Sequence, residues 1–483
     1  MIMEEERDAI RVLSRFKSET GEFSSSVIDL PIDVTVDKLQ LICNALLQQE
    51  ENVPYVFFVN EKEIKNSLEA ALECEKINAE EVIEIVYQQQ AVFRVRAVTR
   101  CTSSLPGHAE AVISASFSPD GRHLASGSGD TTVRFWDIST QTPVYTCRGH
   151  KHWVLCIAWS PNGKYLASGC KNGQIILWNP DSGEQMGRTL TGHKKWITSL
   201  SWEPYHSNPE CRRLASGSKD GDIRIWDVVL GQTLLTLSGH SKTVTCVKWG
   251  GAGLLYSASQ DCSIKVWRTQ DGVLCRSLDG HAHWVNTLAL STDYVLRTGP
   301  FEPVTRRDMD HNNSTYVKKY KIQTELQQQA LKRYEAVCSK GEERLVSGSD
   351  DFTLHLWHPE RERKPVARMT GHQQLINDVK FSVDTRMIAS ASFDKSIKLW
   401  DGRTGKFITS LRGHVQAVYQ IAWSADSRLL VSGSADSTLK VWSMKTYKLE
   451  FDLPGHADEV FAVDWSPDGL MVVSGGKDKV LKL

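Results

Sequence analysis

The chain has 483 residues, of which 41% are hydrophobic and 24% charged, and its formal net charge is −1. Residues 1–90 hold 19 acidic and 8 basic side chains, whereas the remainder holds 39 acidic and 49 basic side chains. This asymmetry indicates either two different partners or two independently solvated surfaces. Eleven scattered cysteines without a Cys-x-x-Cys pair argue against zinc sites and disulfides, and the absence of long apolar runs argues against a signal sequence or membrane span.

The first predicted elements form a small domain over residues 10–90, after an acidic segment, residues 1–9, that we expect to be disordered. The alternation of Arg11–Lys17 predicts a strand, and Thr35 is placed to cap a helix. The order β-β-α-β-short helix-β is that of a ubiquitin-like α+β fold. Its other predicted parts are a hairpin partner in 22–30, a helix stripe of Leu39, Ile42, Cys43 and Leu46, strands at 54–60 and 81–87, and a short helix at 67–72.

Residues 91–483 are organised by a Gly-His dipeptide that occurs eight times, with its histidines at positions 108, 150, 193, 240, 281, 372, 414 and 456. The steps between them are 42, 43, 47, 41, 91, 42 and 42 residues, and such a period indicates a repeat architecture. Most units continue with a serine, an aspartate and a tryptophan in fixed order. Examples are His108, Ser126, Asp130, Trp136; His193, Ser216, Asp220, Trp226; His372, Ser390, Asp394, Trp400; and His414, Ser432, Asp436, Trp442.

These residues resemble the WD repeat, in which each unit supplies one four-stranded blade of a β-propeller. The resemblance implies a mainly β, eight-bladed propeller behind the ubiquitin-like domain, and a hydrogen-bonded His-Ser-Asp-Trp tetrad in each blade. A catalytic role for the repeated His and Asp is the alternative. The structural role is favoured because such a pair recurs once per blade in propellers.

Three irregularities interrupt the repeat. Asn172 replaces the aspartate of the second unit, which predicts a weaker blade, and the sequence reaches Leu483 just before the eighth tryptophan is due, which predicts fraying of the last strand. The 91-residue step predicts an insertion at about 295–340, helical over 324–337, that is either a partner contact or an inert loop. Residues 92–103 are expected to supply the outer strand of blade eight.

Aromatic residues stand three positions after the repeat histidine in units two, three and five: Trp153, Trp196 and Trp284. They lie among cations, including Lys194 and Lys195, at a position where propellers begin their innermost strand. This mixture suits contact with RNA or protein, whereas packing of each indole on the next blade is the equal alternative.

Stretches along the whole chain, among them AVFRVRAVTRCTSSLPGH and RGHVQAVYQIAWSADSRLLVSGS, resemble a family of WD-repeat assembly factors of the large ribosomal subunit with an N-terminal NLE domain. The family implies a nuclear and nucleolar factor on the pre-ribosome. Its ubiquitin-like domain docks on the metal-ion-dependent adhesion site (MIDAS) of the AAA+ ATPase midasin. The family pattern puts the carboxylate that completes the partner's Mg²⁺ or similar ion at Glu80, with Glu81 as the alternative.

No nucleophile elbow, phosphate-binding glycine loop or metal-spaced Cys/His set stands outside the repeats, so we expect no enzymatic activity and no cofactor of the protein's own. The function implied is that of a monomeric, non-enzymatic assembly factor that is pulled by midasin. The alternative is a WD-repeat adaptor in Notch-type signalling or in a ubiquitin ligase.

Overall fold

The computed structural model describes residues 11–18, 25–47, 54–60, 62–64, 67–75, 82–89, 95, 97–301, 316–338 and 343–483. The chain divides into two compact units, Met1–Arg94 and Val95–Leu483. The division therefore falls four residues after the expected boundary at residue 90. The acidic segment 1–9 lies outside the described residues.

The first unit follows the predicted order, with one additional short strand. Its elements are β1 (Arg11–Ser18), β2 (Ile28–Pro31), α1 (Val36–Leu46), β3 (Tyr55–Val59), β4 (Lys62–Glu63), α2 (Leu68–Glu75) and β5 (Ile83–Gln89). They form a five-stranded sheet in the order β2-β1-β5-β3-β4, in which β1 and β5 are parallel. Phe16, Leu39, Phe57 and Ile85 are fully buried between sheet and helices. Thr35 precedes α1 in extended conformation, but its side chain makes no capping hydrogen bond.

The second unit begins with strand β6 (Ser104–Pro106) and continues into sheets that we call blades one to eight. Blades one to four contain β7 (Val112–Phe117), β8 (His123–Ser128), β9 (Thr132–Asp137), β10 (Thr142–Arg148); β11 (Val154–Trp159), β12 (Leu166–Cys170), β13 (Ile175–Trp178); β14 (Ile197–Trp202), β15 (Arg213–Ser218), β16 (Asp222–Asp227), β17 (Gln232–Ser238); and β18 (Val244–Trp249), β19 (Leu254–Ser259), β20 (Ser263–Arg268), β21 (Leu274–Asp279). Blade two has three strands, because the chain after Trp178 makes only isolated bridges to it.

Blades five to eight complete the set. They contain β22 (Val285–Leu290), helices α3 (Asp293–Thr298) and α4 (Tyr316–Cys338), β23 (Leu345–Ser349), β24 (Thr353–Trp357), β25 (Ala367–Thr370); β26 (Ile376–Phe381), β27 (Met387–Ser392), β28 (Ser396–Asp401), β29 (Phe407–Arg412); β30 (Val418–Trp423), β31 (Leu429–Ser434), β32 (Thr438–Ser443), β33 (Lys448–Pro454); and β34 (Val460–Trp465), β35 (Val472–Gly476), β36 (Val480–Lys482). The protein is mainly β, and its eight sheets agree with the number of repeats.

The first strand of each blade packs against the first strand of the next, and β34 of blade eight also contacts β7 of blade one. The apolar cores lie between neighbouring sheets: one of them joins Phe135 of blade one to Val154 and Leu166 of blade two. A comparable core joins Leu105 and Leu481 of blade eight to Phe117 of blade one. Each blade thus contacts the next through its first strand, and the first strands of seven of the blades line a channel.

The strand that completes blade eight differs from the prediction. Its residues are Ser104–Pro106, which pair with Val480–Lys482, whereas the prediction gave residues 92–103. Of the predicted segment, Thr102 and Ser103 bond to Leu483. Apolar and polar residues alternate in the predicted segment, but strand β36 has only three residues with which it can pair. The predicted fraying of the last strand is also wrong. Strand β36 is paired on both sides, and Leu483 is buried.

The insertion lies in blade five, between β22 and β23, as predicted. Helix α4 begins at Tyr316, earlier than the predicted 324, while residues 302–315 and 339–342 lie outside the described residues. Ala330 is buried in a cluster with Trp202 and Tyr205 of blade three. Tyr334 stacks on His206, with ring centroids 4.6 Å apart. This helix is therefore docked on the propeller.

Helix α3 lies across one end of the central channel. Its Arg297 guanidinium donates to the carboxylate of Asp464 in blade eight, and its Asp293 accepts from Lys248 Nζ of blade four at 3.1 Å. The Tyr294 hydroxyl donates to the Pro467 carbonyl at 3.2 Å. Because α3 follows the end of β22 whereas Trp284 precedes its start, the helix and the tryptophans lie at opposite ends of the channel.

Candidate functional site

The repeat residues form a hydrogen-bonded chain within each blade. In blade one, Trp136 Nε1 donates to Ser126 Oγ at 2.9 Å, Ser126 Oγ lies 2.8 Å from His108 Nε2, and His108 Nδ1 lies 2.8 Å from Asp130 Oδ2. The same chain links the residues of blades three, six and seven: His193, Ser216, Asp220, Trp226; His372, Ser390, Asp394, Trp400; and His414, Ser432, Asp436, Trp442. In blade eight, His456, Ser474 and Asp478 make the corresponding hydrogen bonds.

The tetrad carboxylates have their hydrogen-bonding capacity filled. Asp130 accepts from the Ala109 N–H at 2.9 Å and from Thr132 Oγ1 at 2.7 Å in addition to His108. Burial by itself raises the pKa of Asp130, but the hydrogen bonds from His108, Thr132 and Ala109 outweigh it and hold that pKa well below its usual range. Burial lowers the pKa of the His372 and His414 imidazoles. The carboxylate and the imidazole of each of these tetrads are thus held by hydrogen bonds within their own blade.

Blade two shows what the aspartate contributes. His150 is 6% exposed and lies 2.6 Å from Ser168, but its Nδ1 has no hydrogen-bond partner because Asn172 replaces the acid. Burial lowers the pKa of His150 to about 4. The same is true of His355 in blade five, whose pKa falls to about 4 through burial and the neighbouring His281. The sequence pattern identified the first of these histidines and not the second.

The three tryptophans stand at the rim opposite α3, each just before the first strand of its blade. Trp153 is 46% exposed, and Trp196 and Trp284 are each 39% exposed, so part of each indole is open to solvent while part is covered. The covered part of Trp153 lies against Gly129 of blade one. Lys194 and Lys195 are exposed beside Trp196. The structure joins two of the three tryptophans through a lysine that the sequence analysis did not single out.

That lysine is Lys171, whose ammonium lies over both indoles, 4.9 Å from the ring centroid of Trp153 and 4.5 Å from that of Trp196. Lys219 covers Trp196 again at 4.1 Å. We call Trp153, Lys171, Trp196 and Lys219 the indole–lysine ladder. Both lysines directly precede the tetrad position, at Asn172 and Asp220, and this spacing was the signal available in the sequence.

Trp284 is not part of the ladder. Its ring is near His283, with centroids 5.4 Å apart, and His283 Nδ1 lies 3.5 Å from Asp350. Asp350 occupies in blade five the place that Lys171 and Lys219 occupy in blades two and three, since the backbone N–H of each donates to the tryptophan carbonyl of its own blade. The rim therefore changes charge between blades three and five.

Glu80 and Glu81 lie outside the described residues, between α2, which ends at Glu75, and β5, which begins at Ile83. Their role as ligands of a partner's ion stays a prediction. Among the residues that the structure describes, no three His, Cys, Asp or Glu side chains are grouped to hold a metal ion. Within the same residues, no helix is both long and apolar enough to cross a membrane.

Comparisons with known proteins agree with both units. Residues 12–72 match the family described as NLE (NUC135) domain. Seven segments between residues 99 and 483 match the WD domain, G-beta repeat. A crystal structure of the computationally designed Ika8 protein superposes with a TM-score of 0.60 and 27% identity, covering 79% of this chain and 98% of that one.

Two relatives extend across most of the chain. Ribosome assembly protein 4 of Saccharomyces cerevisiae is 47% identical over 428 residues, which are 84% of this chain and 80% of that protein. Protein Notchless of Drosophila melanogaster is 62% identical over 384 residues, which are 80% of this chain and 77% of that protein. The chain therefore belongs to the Notchless family of WD-repeat proteins with an N-terminal NLE domain.

Proposed function

We propose that this protein is a non-enzymatic assembly factor of the large ribosomal subunit, acting in the nucleolus and nucleoplasm. The observation that carries the proposal is its similarity, over more than four fifths of the chain, to a relative named ribosome assembly protein 4. The saturated tetrads support a scaffold, because their histidines and carboxylates are used in holding the blades.

The division of labour that we propose follows the two units. The propeller holds the pre-ribosome through the rim with the indole–lysine ladder, where exposed aromatic and cationic side chains are offered together. The acidic NLE unit docks on the MIDAS domain of midasin, where Glu80 occupies the open position on the partner's Mg²⁺. ATP-driven pulling by midasin then remodels the particle and releases the factor.

Substitution of Glu80 tests this mechanism. Glu80→Ala is expected to abolish binding to the purified MIDAS domain, because a hard divalent ion needs an oxygen ligand there, and EDTA should abolish binding of the unaltered protein. A pulldown measures both. Glu69→Ala is the matched control, since Glu69 is an exposed acid on α2 of the same unit.

Co-sedimentation of Glu80→Ala with the large-subunit precursor should be unchanged. Undiminished MIDAS binding by Glu80→Ala, with loss on Glu81→Ala, would move the ligand by one residue. Undiminished binding by both variants would refute the docking mechanism. Affinity purification that yields ligase or receptor components in place of large-subunit proteins would instead favour the adaptor function.

A further inference from the structure

The rim that carries the indole–lysine ladder differs in charge from one group of blades to another. On blades two to four, Lys151, Lys194, Lys195 and Lys242 are exposed beside Lys171 and Lys219. The tetrad acids behind them are turned inward to histidine: the side chains of Asp220 and Asp261 are 10% and 11% exposed. Among the described residues these ammonium groups take part in no ion pair, although the exposed Glu110 of blade one lies beside Trp153, against Gly129.

The opposite arc of the same rim is different at equivalent positions. Blade six places Leu375 and Phe393 there, and blade seven places Ala417 and Ala435. Blade eight has a lysine, Lys477, but its Nζ lies 3.5 Å from Asp458 and 3.9 Å from Glu459. Exposed lysines also occur on this arc, at Lys395 of blade six and Lys479 of blade eight. What distinguishes blades two and three is the contact of their lysines with indole rings.

The ladder also fixes its cations. A lysine on a surface normally samples many rotamers, whereas Lys171 is held between two indole rings and Lys219 rests on one of them. Cation–π contact of this kind favours the rotamers that keep the ammonium over the ring. The result is a row of alternating flat apolar surface and positive charge that runs from blade two to blade three.

We infer that the indole–lysine ladder binds single-stranded RNA, with the lysines on phosphates and the exposed parts of the indoles against bases or riboses. Nucleic-acid binding sites of this class combine a cationic track with aromatic surfaces, and both components are present here in alternation. An acidic peptide would use the lysines but would leave the two indoles without a partner. The inference deepens the proposed function by naming the ligand of the propeller's particle-binding face.

Fluorescence anisotropy with a labelled short oligouridylate tests the inference on the full chain. Lys171→Ala/Lys219→Ala is expected to weaken binding at least tenfold and to lower the slope of log affinity against log salt by about 1.4, since each phosphate contact contributes about 0.7 for single strands. Trp196→Ala should weaken binding about tenfold, and Trp196→Phe should restore most of it because an aromatic face is retained.

The matched controls come from the same rim. Lys477→Ala removes a lysine at the equivalent position that is already paired with acids, and Trp284→Ala removes the tryptophan that stands beside Asp350; both should bind like the unaltered protein. Equal loss in Lys477→Ala would overturn the inference in favour of general charge attraction. Tighter binding of labelled poly-glutamate than of oligouridylate would overturn it in favour of an acidic peptide.

Failure of this inference can be told apart from failure of the proposed function. If RNA binding is absent while the unaltered protein co-sediments with the large-subunit precursor, only the inference that the ladder binds RNA is refuted. If the unaltered protein does not co-sediment with the precursor at all, the proposed function falls as well. Thermal melting of each variant should match that of the unaltered protein, because the four ladder residues lie outside the tetrads.

Discussion

Asn172 stands where the other seven blades place an aspartate, and it makes no hydrogen bond to the repeat histidine of its blade. The Nδ1 atom of His150 is left buried without a partner, whereas His108 has Asp130 at 2.8 Å in the same position. A buried polar group without a hydrogen bond costs about 1–3 kcal/mol. Blade two therefore contains a local weakness that one side chain can repair.

Replacing Asn172 by aspartate should supply the missing acceptor. Asn172→Asp is expected to stabilise the protein at neutral pH by about 1 kcal/mol, the usual net contribution of a hydrogen bond. The midpoint of urea unfolding measures the change. Asn172→Ala is the control and should bring no gain. An unchanged midpoint for Asn172→Asp would show that the buried Nδ1 carries no cost.

The same residue sets a pH dependence. The pKa of His150 is about 4 in the folded protein and 6.5 as the reference value, so the unfolded chain binds the proton more tightly. Its contribution to stability is complete above pH 6.5 and is lost as the pH falls toward 4, a change of about 3 kcal/mol in all. The urea midpoint of the unaltered protein should therefore fall from pH 7.5 to pH 5 by more than that of Asn172→Asp. Parallel falls in both proteins would contradict this.

At the scale of elements, α3 is a short helix whose position is fixed by charge. Its Arg297 meets Asp464, and its Asp293 meets Lys248, so each end of the helix is matched by an opposite charge on the channel wall. Burial by itself lowers the pKa of Arg297, but Asp464 outweighs this and raises it. A six-residue helix has little stability of its own, and these contacts therefore hold it in place.

A double-mutant cycle measures the Arg297–Asp464 contact. Arg297→Met and Asp464→Asn are each expected to lower the free energy of unfolding by about 2 kcal/mol, with a coupling of about 1 kcal/mol, because the pair is held inside the channel. The exposed pair Lys477–Asp458 is the control and should show a coupling below about 0.5 kcal/mol. Strict additivity at Arg297 and Asp464 would mean that α3 is held by packing alone.

The sequence was most informative where the determining contacts are local or periodic. The repeat histidine, serine and tryptophan recur at nearly constant spacing because a blade needs all of them, so the number of sheets could be predicted. The spacing of the ladder lysines is visible in the sequence, but their contact with the indoles is not, because Lys171 of blade two meets Trp196 of blade three only once the blades are packed. The contact of Arg297 with Asp464, 167 residues away, has no periodic signal either. Strand β6 was placed too early, because pairing between the two ends of the unit depends on the length of the partner strand.

At the scale of the whole molecule, β6 joins the beginning of the propeller to its end. Leu105 is 4% exposed and lies in one core with Leu481 and with Phe117 of blade one. That core belongs to both the first and the last blade. Stability at this junction is therefore a property of the ring and not of one sheet.

Truncation of Leu105 tests the unity of the ring. Leu105→Ala should lower the free energy of unfolding by about 2–4 kcal/mol through the cavity that it leaves, and the propeller should still unfold in one transition. Tryptophan fluorescence in urea follows it. Leu470→Ala is the control, since Leu470 of the same blade is 67% exposed and its loss should matter by less than about 0.5 kcal/mol. A separate early transition, with the remainder unchanged, would show that blade eight is independent.

The order of the chain gives β6 a mechanical meaning. Val95, the first residue of the second unit, donates its backbone N–H to Asp426 at 2.8 Å, and β6 follows a few residues later. Any tension applied to the NLE unit must enter the propeller through these residues. Strand β6 is far in sequence from the strand that it pairs with: three residue pairs join it to β36, and Thr102 and Ser103 bond to Leu483 beside them. When force is applied from the N-terminal side, the propeller should therefore open first between β6 and β36. The order of the chain determines this place, even if another blade is the least stable in the absence of force.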